Sequence, residues 1–360
     1  MVALTYPRST TIYKLGGTET LRASSAAFLE IFGGNLQNIS DEMRRLFWAD
    51  EGYKLVQVDQ SGAEALIVAY LCTHGKFRDL FLNNVKPHVF VAMNMFLDIW
   101  IKKCHDLDVV SFANTPIPEL KTREGWKTLD ALIKESDKWK PQERYYYIAK
   151  MICHASNYGI RGNAFRLNVI EKSKGKIVLT KQQADTYLAK YHALFPEIQR
   201  WHREVEQQLQ LTGMLFSLQG FPFVNTGKLD DYNMKDWFAK VPQSTVGMIT
   251  HKEITNEQTF INVCNNKMPV KKLNGEVDEA LQRFGLIGKR WTLLNNCHDS
   301  SLTQAPEGEE RECAAVKRFF MQQNLVNFRG EKFQMKSEAA VGSNWGKYKK
   351  DKNEFGMKEL

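Results

Sequence analysis

Asp59 closes an apolar run, Tyr53-Lys54-Leu55-Val56-Gln57-Val58, and stands just ahead of Gly62 and a second apolar run. A carboxylate placed there is held rigidly at a strand end yet open to solvent. Asp299 occupies a His-Asp turn between two short stretches, within RWTLLNNCHDSSLTQ. If the two meet, carboxylates at adjacent strand ends can hold two divalent cations roughly 3.5–4 Å apart, the arrangement that serves phosphoryl transfer. Mg2+, small and hard, prefers such oxygen donors. Each residue also has a plainer reading, Asp59 as a helix N-cap and Asp299 as an ordinary turn residue. Periodicity alone does not bring them together.

A second group is Lys150, His154, Tyr158 and Arg161, at steps of four, four and three. On one helix these would share a face. Cations beside an aromatic ring can bind phosphates and stack a base. The same spacing equally describes the solvent-facing stripe of an amphipathic helix.

The elements that must position these groups follow from local pattern. Residues 1–52 are a polar lead-in with turns at Gly16-Gly17 and Gly33-Gly34. The Val-rich run to Asp59 predicts a strand, and AEALIVAYLC predicts a buried helix over 63–72. A helix is expected over 86–103, with Pro87 at its start and His88 in its first turn. Residues 104–140 hold TPIPEL and KESDKWKP and are expected as a partly helical, exposed insertion. Helices follow at 142–157, ended by Asn157-Tyr158-Gly159, and at 181–212, where Pro196 is a point of interruption. GMLFSLQGFPF reads as a hairpin turning at Gly220. Residues 236–262 read as helix, with a polar insertion after them. RWTLLNNCHDSSLTQ reads as two strands, 311–328 as a last amphipathic helix, 332–341 as a terminal strand, and the remainder as a polar tail.

The 360 residues suffice for one large or two moderate cores. Hydrophobic residues at 43% and charged residues at 25% are those of a globular chain, so the core must come from packing rather than staples. The formal charge of +8 permits an anionic partner without requiring one. Cys72, Cys104, Cys153, Cys264, Cys297 and Cys313 are scattered singly, which argues against a zinc site or disulfide framework and for a reducing compartment. No signal-peptide pattern opens the chain. No apolar run approaches the roughly 18 residues of a membrane span. A cytoplasmic location is expected, with an organellar one as the alternative.

Three separated segments, in order, resemble the polymerase motifs of family A DNA polymerases, the group of bacterial DNA polymerase I and related phage enzymes. VQVDQSGAEALIVAYL resembles the palm's strand–Asp–helix motif, AKMICHASNYG the fingers helix, and LLNNCHDSSL the palm's His-Asp turn. Flanking similarities lie at Arg22-Ala23-Ser24-Ser25 with NLQNI, at VKPHVFVAMNMF, at FPEIQRWHREVE with GMLFSLQGFPF, at Pro242-Gln243-Ser244-Thr245, and at AAVGSNW.

The resemblance implies an α+β fold: a right-hand polymerase palm, an antiparallel sheet backed by helices, with a mainly helical fingers subdomain. The implied division is 1–72 as lead-in and first part of the palm, and 73–212 as fingers with an insertion at about 104–140. The second part of the palm would be 213–346, with an insertion at about 262–290, and 347–360 a polar tail. It implies a DNA-directed DNA polymerase that adds deoxynucleotides to a primer 3′-hydroxyl and releases pyrophosphate. Two Mg2+ ions, with Mn2+ as a substitute, would be held by Asp59 and Asp299. Glu64 would exclude a ribose 2′-hydroxyl. His88, Lys150, His154, Tyr158 and Arg161 would bind the nucleotide, with Lys150 and His154 also catalytic. Arg22, Asn38, Gln243 and His298 would contact primer-template. The implied partners are primer-template DNA and deoxynucleoside triphosphates, with no membrane.

Departures from the family pattern are specific. Lys150 and His154 stand where Arg and Lys are usual, and Gly162 where Tyr is usual, with Arg161 next to it as a candidate replacement. Lys lacks the planar fork of Arg, and His is a weaker permanent cation. Gln60, Gly62, Leu66 and Ser300 replace the usual Tyr, Gln, Arg and Glu. The residues ahead of Arg22 are too few for the family's thumb and exonuclease. The expectation is therefore a split polymerase whose partner chain supplies them, or else a minimal enzyme. The competing readings are a polymerase-like DNA-binding subunit without catalysis and a single-subunit RNA polymerase.

Overall fold

The computed structural model describes residues 11–14, 18–26, 35–230, 233–269, 273–285 and 288–360. The expected turns at Gly16-Gly17 and Gly33-Gly34 lie outside the described residues. The architecture is mixed α+β, and the chain divides into a unit of residues 1–64 with 243–360 and a unit of residues 65–242.

In chain order the elements are β1 (Ile12–Lys14), β2 (Ser24–Ala26), α1 (Asp41–Arg44), β3 (Tyr53–Gln60), α2 (Ala63–Leu71), α3 (Lys76–Leu82), α4 (Pro87–Met95), α5 (Leu97–Lys103), α6 (Val109–Asn114), α7 (Ile117–Leu120), α8 (Trp126–Glu135) and α9 (Tyr145–Asn157). Then come α10 (Gly162–Lys172), α11 (Lys181–Leu194), α12 (Pro196–Thr212), β4 (Met214–Phe216), β5 (Pro222–Val224), α13 (Met234–Cys264), α14 (Gly275–Phe284), β6 (Thr292–Cys297), β7 (Ser300–Pro306), α15 (Glu310–Met321), β8 (Asn324–Val326), β9 (Lys332–Gln334), β10 (Ser337–Gly342) and β11 (Lys358–Glu359).

The first unit is built on an antiparallel sheet in the order β11-β10-β3-β7-β6. Side chains alternate across a strand, and here the alternation separates two environments. Leu55 on β3 and Leu302 on β7 join Cys297, Trp345 and Met357 in an apolar cluster on one face. Gln57 follows Leu55 on that face and accepts a hydrogen bond from Trp345 Nε1 at 2.8 Å. Asp59 comes next on the same face. The other face is polar where it meets α13: Gln60 Nε2 donates to Thr250 Oγ1 at 2.7 Å, Ser301 Oγ to Glu253 Oε1 at 2.8 Å and Thr303 Oγ1 to Glu257 Oε1 at 2.6 Å. Lys317 on α15 closes this cluster, fully buried, with Nζ 2.8 Å from Glu257 Oε2 and 3.5 Å from Glu253 Oε1.

The second unit is helical apart from the β4-β5 hairpin, whose turn contains Gly220 at φ 84°. Several expectations are corrected here. The helix expected over 86–103 breaks at Phe96, whose ring is drawn into contact with Tyr145 at 4.8 Å and Tyr187 at 5.4 Å. Residues 104–140 are not simply an exposed insertion, since α6, α7 and α8 bury Phe112, Leu120, Trp126, Leu129 and Ile133. The 181–212 helix is two helices, α12 beginning at Pro196 behind a fully buried Phe195.

In the first unit, α15 stops at Met321 and the residues expected to extend it form β8, paired with β9. The terminal strand is likewise two, β9 and β10. The polar tail is packed: β11 pairs with β10, and Met357 enters the apolar cluster. All six cysteines are buried, and none forms a disulfide. Among the described residues no helix is long and apolar enough to cross a membrane.

Candidate functional site

The two aspartates do meet, on the first unit's sheet. Asp59 lies opposite Ser300 in the β3–β7 register, and Gln60 N donates to the Asp299 carbonyl at 3.0 Å. Asp299 is carried there by a two-residue turn in which His298 adopts φ 58°, a conformation uncommon outside glycine. Burial drives both carboxyls upward, and the nearby Asp299 and then Glu338 add to the effect on Asp59, which is pushed up to about 8. Arg44 and Lys347 pull Asp59 the other way without pairing with it.

Among the described residues neither carboxylate takes part in a salt bridge, and no group of three or more His, Cys, Asp or Glu side chains could hold a metal ion. Two crowded oxygen donors still fit Mg2+. That ion commonly takes one or two protein carboxylates and fills its remaining positions with water and phosphate.

Glu338 was missed by sequence reasoning. It lies directly opposite Asp59 on β10 and accepts a hydrogen bond from Ser61 Oγ at 2.8 Å. The only local signal was its position just before AAVGSNW. Ser300 on β7, next to Asp299, is buried and accepts from Gln57 Nε2 at 3.2 Å. Glu338 on β10 supplies an acid across from Asp59.

Four further residues of the first unit fall close by in pairs. Glu64, in the first turn of α2, forms an ion pair with Arg22. Asn38 ends a short 3-10 helix, and its Oδ1 is 3.4 Å from His298 Nε2. Arg22 packs against α13 at Gly247, where an added Cβ would meet its Cγ at 3.2 Å. Gln243 is half-buried within α13 rather than at a helix start, because the helix runs on through Pro242.

In the second unit α4 and α9 bring His88, Lys150 and His154 together. Burial drives the His88 imidazole down to about 4, and the charges of Lys150, Lys86 and His154 push in the same direction. Lys150 Nζ lies 2.9 Å from Asp137 Oδ2 and 4.1 Å above the Tyr146 ring. His154 is exposed and meets Tyr158 edge-on at 5.2 Å. The expected common face does not extend to Arg161. Helix α9 ends at Asn157, Gly159 turns the chain with φ 67°, and Arg161 caps α10.

Tyr158 is fixed from behind. Asn157 receives a hydrogen bond from Tyr191 OH at 2.7 Å and, at its carbonyl, lies 2.9 Å from His202 Nε2. His202 stacks on Phe238 at 4.1 Å, and a Cβ on Gly159 would strike Phe238 at 2.9 Å. These supports span 45 positions of sequence and left no local trace.

No family model matches the chain, and no curated protein matches it. Among solved structures it is similar to the POL domain of Pol1 from M. smegmatis in complex with DNA primer-template and dNTP, with a TM-score of 0.60 and 18% identity. The match covers 93% of this chain and 48% of that one, so the chain spans about half that structure's length. At this identity the likeness is one of fold: the chain folds like a DNA polymerase domain.

Proposed function

We propose that this chain is the palm-and-fingers part of a template-directed DNA polymerase, with residues 73–212 of the helical unit as fingers and the sheet at the heart of the palm. The observation that carries the reading is the convergence of Asp59 and Asp299 at adjacent strand ends. Asp59 and Asp299 would hold Mg2+, which when bound lowers the pKa of a primer 3′-hydroxyl and stabilises the pyrophosphate leaving group.

The chain's own residues then orient and select. Glu64, steadied by Arg22, fills the space a ribose 2′-hydroxyl would need. Asn38 and His298 hold the primer end, and Gln243 the template duplex. In the helical unit Lys150 attracts the triphosphate, and His88 offers it a neutral hydrogen-bond donor. His154 gives a proton to departing pyrophosphate. Tyr158 stacks beside the incoming base, and Arg161 reaches the nucleotide from the α10 cap.

Primer extension with Mg2+ and deoxynucleotides tests the reading. Wild-type protein extends the primer, while D59A and D299A keep their circular dichroism and lose extension. Full activity in either variant rules the mechanism out. The engagement of Lys150 by Asp137 favours one alternative, a polymerase-like subunit that binds DNA without extending it. That protein binds primer-template yet shows no product with Mg2+ or Mn2+.

A further inference from the structure

We propose that the face bearing Trp48 and Phe355 is a stacking platform for single-stranded nucleic acid. Trp48 is 56% exposed and Phe355 61%, and their rings lie 5.7 Å apart. A single exposed aromatic needs no explanation. A contacting pair left more than half exposed forgoes apolar burial at both rings.

The pair is also held in place. Ser343 and Asn344 both donate to the Phe355 carbonyl, at 2.8 and 3.1 Å, and Trp48 bridges to Asn344. Asn344 and Asn353 exchange side-chain hydrogen bonds of 2.7 and 3.0 Å across the C-terminal loop. Gly356 is packed so closely that a Cβ would lie 2.5 Å from Asn353 Nδ2. The rings therefore sit on a rigid loop and lose little freedom when something stacks on them.

Charge decides the occupant. Residues 347–359 carry Lys347, Lys349, Lys350, Lys352 and Lys358 against Asp351, Glu354 and Glu359. Protein–protein interfaces are depleted in lysine. Aromatic rings set among lysines are instead how single strands are held, bases on the rings and phosphates on the cations. The loop also starts on the carboxylate face of the sheet, because Trp345 Nε1 donates to Gln57, two residues from Asp59, at 2.8 Å. A strand engaged near Asp59 would have this surface within reach. The inference concerns binding alone and does not require that the chain polymerise.

The test is fluorescence anisotropy with a labelled oligothymidylate of about 16 nucleotides. W48A/F355A is expected to weaken binding at least about 30-fold, the loss of two stacked bases, with unchanged circular dichroism because neither side chain belongs to the core. K349E/K350E should flatten the salt dependence. Oligonucleotide should quench tryptophan emission in wild type and less in W48F. Unaltered affinity in W48A/F355A together with equal quenching in W48F overturns the proposal. So does a W48A/F355A variant that changes only self-association in sedimentation, which would assign the face to a second copy. The binding readout uses neither Mg2+ nor nucleotide, so a failed polymerase reading leaves this result intact.

Discussion

Replacing Lys317 by Met removes a fully buried cation from between two fully buried carboxylates. At an effective dielectric constant of about 20, unit charges at 2.8 and 3.5 Å attract by about 6 and about 5 kcal/mol. Desolvation of the three groups offsets most of that, and truncating one partner of a buried cluster costs about 3–5 kcal/mol net. Ser301 and Thr303 would also lose donors at 2.7 and 2.9 Å. K317M is therefore expected to destabilise the sheet unit by about 3–5 kcal/mol in urea denaturation followed by tryptophan fluorescence at pH 8. The sign of the pH dependence is a sharper check. Burial, opposed by Lys317 and reinforced by Glu257, raises Glu253 to about 7. A raised carboxyl contributes stability that is fully present below its unfolded value near 4.5 and lost as pH rises through 7. Without Lys317 the Glu253 carboxyl rises further, so K317M should recover part of its loss between pH 8 and 5. K317M/E253Q/E257Q should recover most of it at every pH. A loss under about 1 kcal/mol, or one independent of pH, would falsify the assignment of this cluster as the tie between β7, α13 and α15.

Other consequences can be checked separately. Burial holds His202 near 4 in the folded chain against about 6.5 unfolded, so its stabilising contribution is complete above pH 6.5 and disappears as pH falls to 4. Thermal melts across that window should show an acid limb of about 3 kcal/mol, visibly shallower in H202Q; identical limbs would mean another group is responsible. Gly159→Ala meets both a positive φ and Phe238, so a loss of about 1–3 kcal/mol should accompany a drop in extension, read by denaturation and primer extension on one preparation. Glu64→Ala should raise ribonucleotide incorporation relative to deoxynucleotide about 10–100-fold, the scale of a small steric contact; a ratio equal to wild type would remove Glu64 from sugar selection.

Much of the local plan was legible in the chain itself. The Val-rich run ending beside Asp59, the His-Asp turn, the Asn157-Tyr158-Gly159 helix end and the hairpin at Gly220 all depend on neighbouring residues. Period-two alternation and turn chemistry act over a few positions, so they survive in one dimension. The mixed α+β class came instead from the resemblance carried by three short motifs.

Tertiary structure decided what those pieces do. It set Asp59 against Asp299 and placed Glu338 opposite Asp59. It broke the 86–103 helix at Phe96 for the sake of two tyrosine rings, and folded the polar tail back onto β10. It also moved Arg161 off the face it would have shared with Lys150 and His154. Each of these outcomes depends on partners far away in sequence. Their attraction and desolvation arise only when distant residues are brought within a few ångströms, and no local spacing encodes that distance.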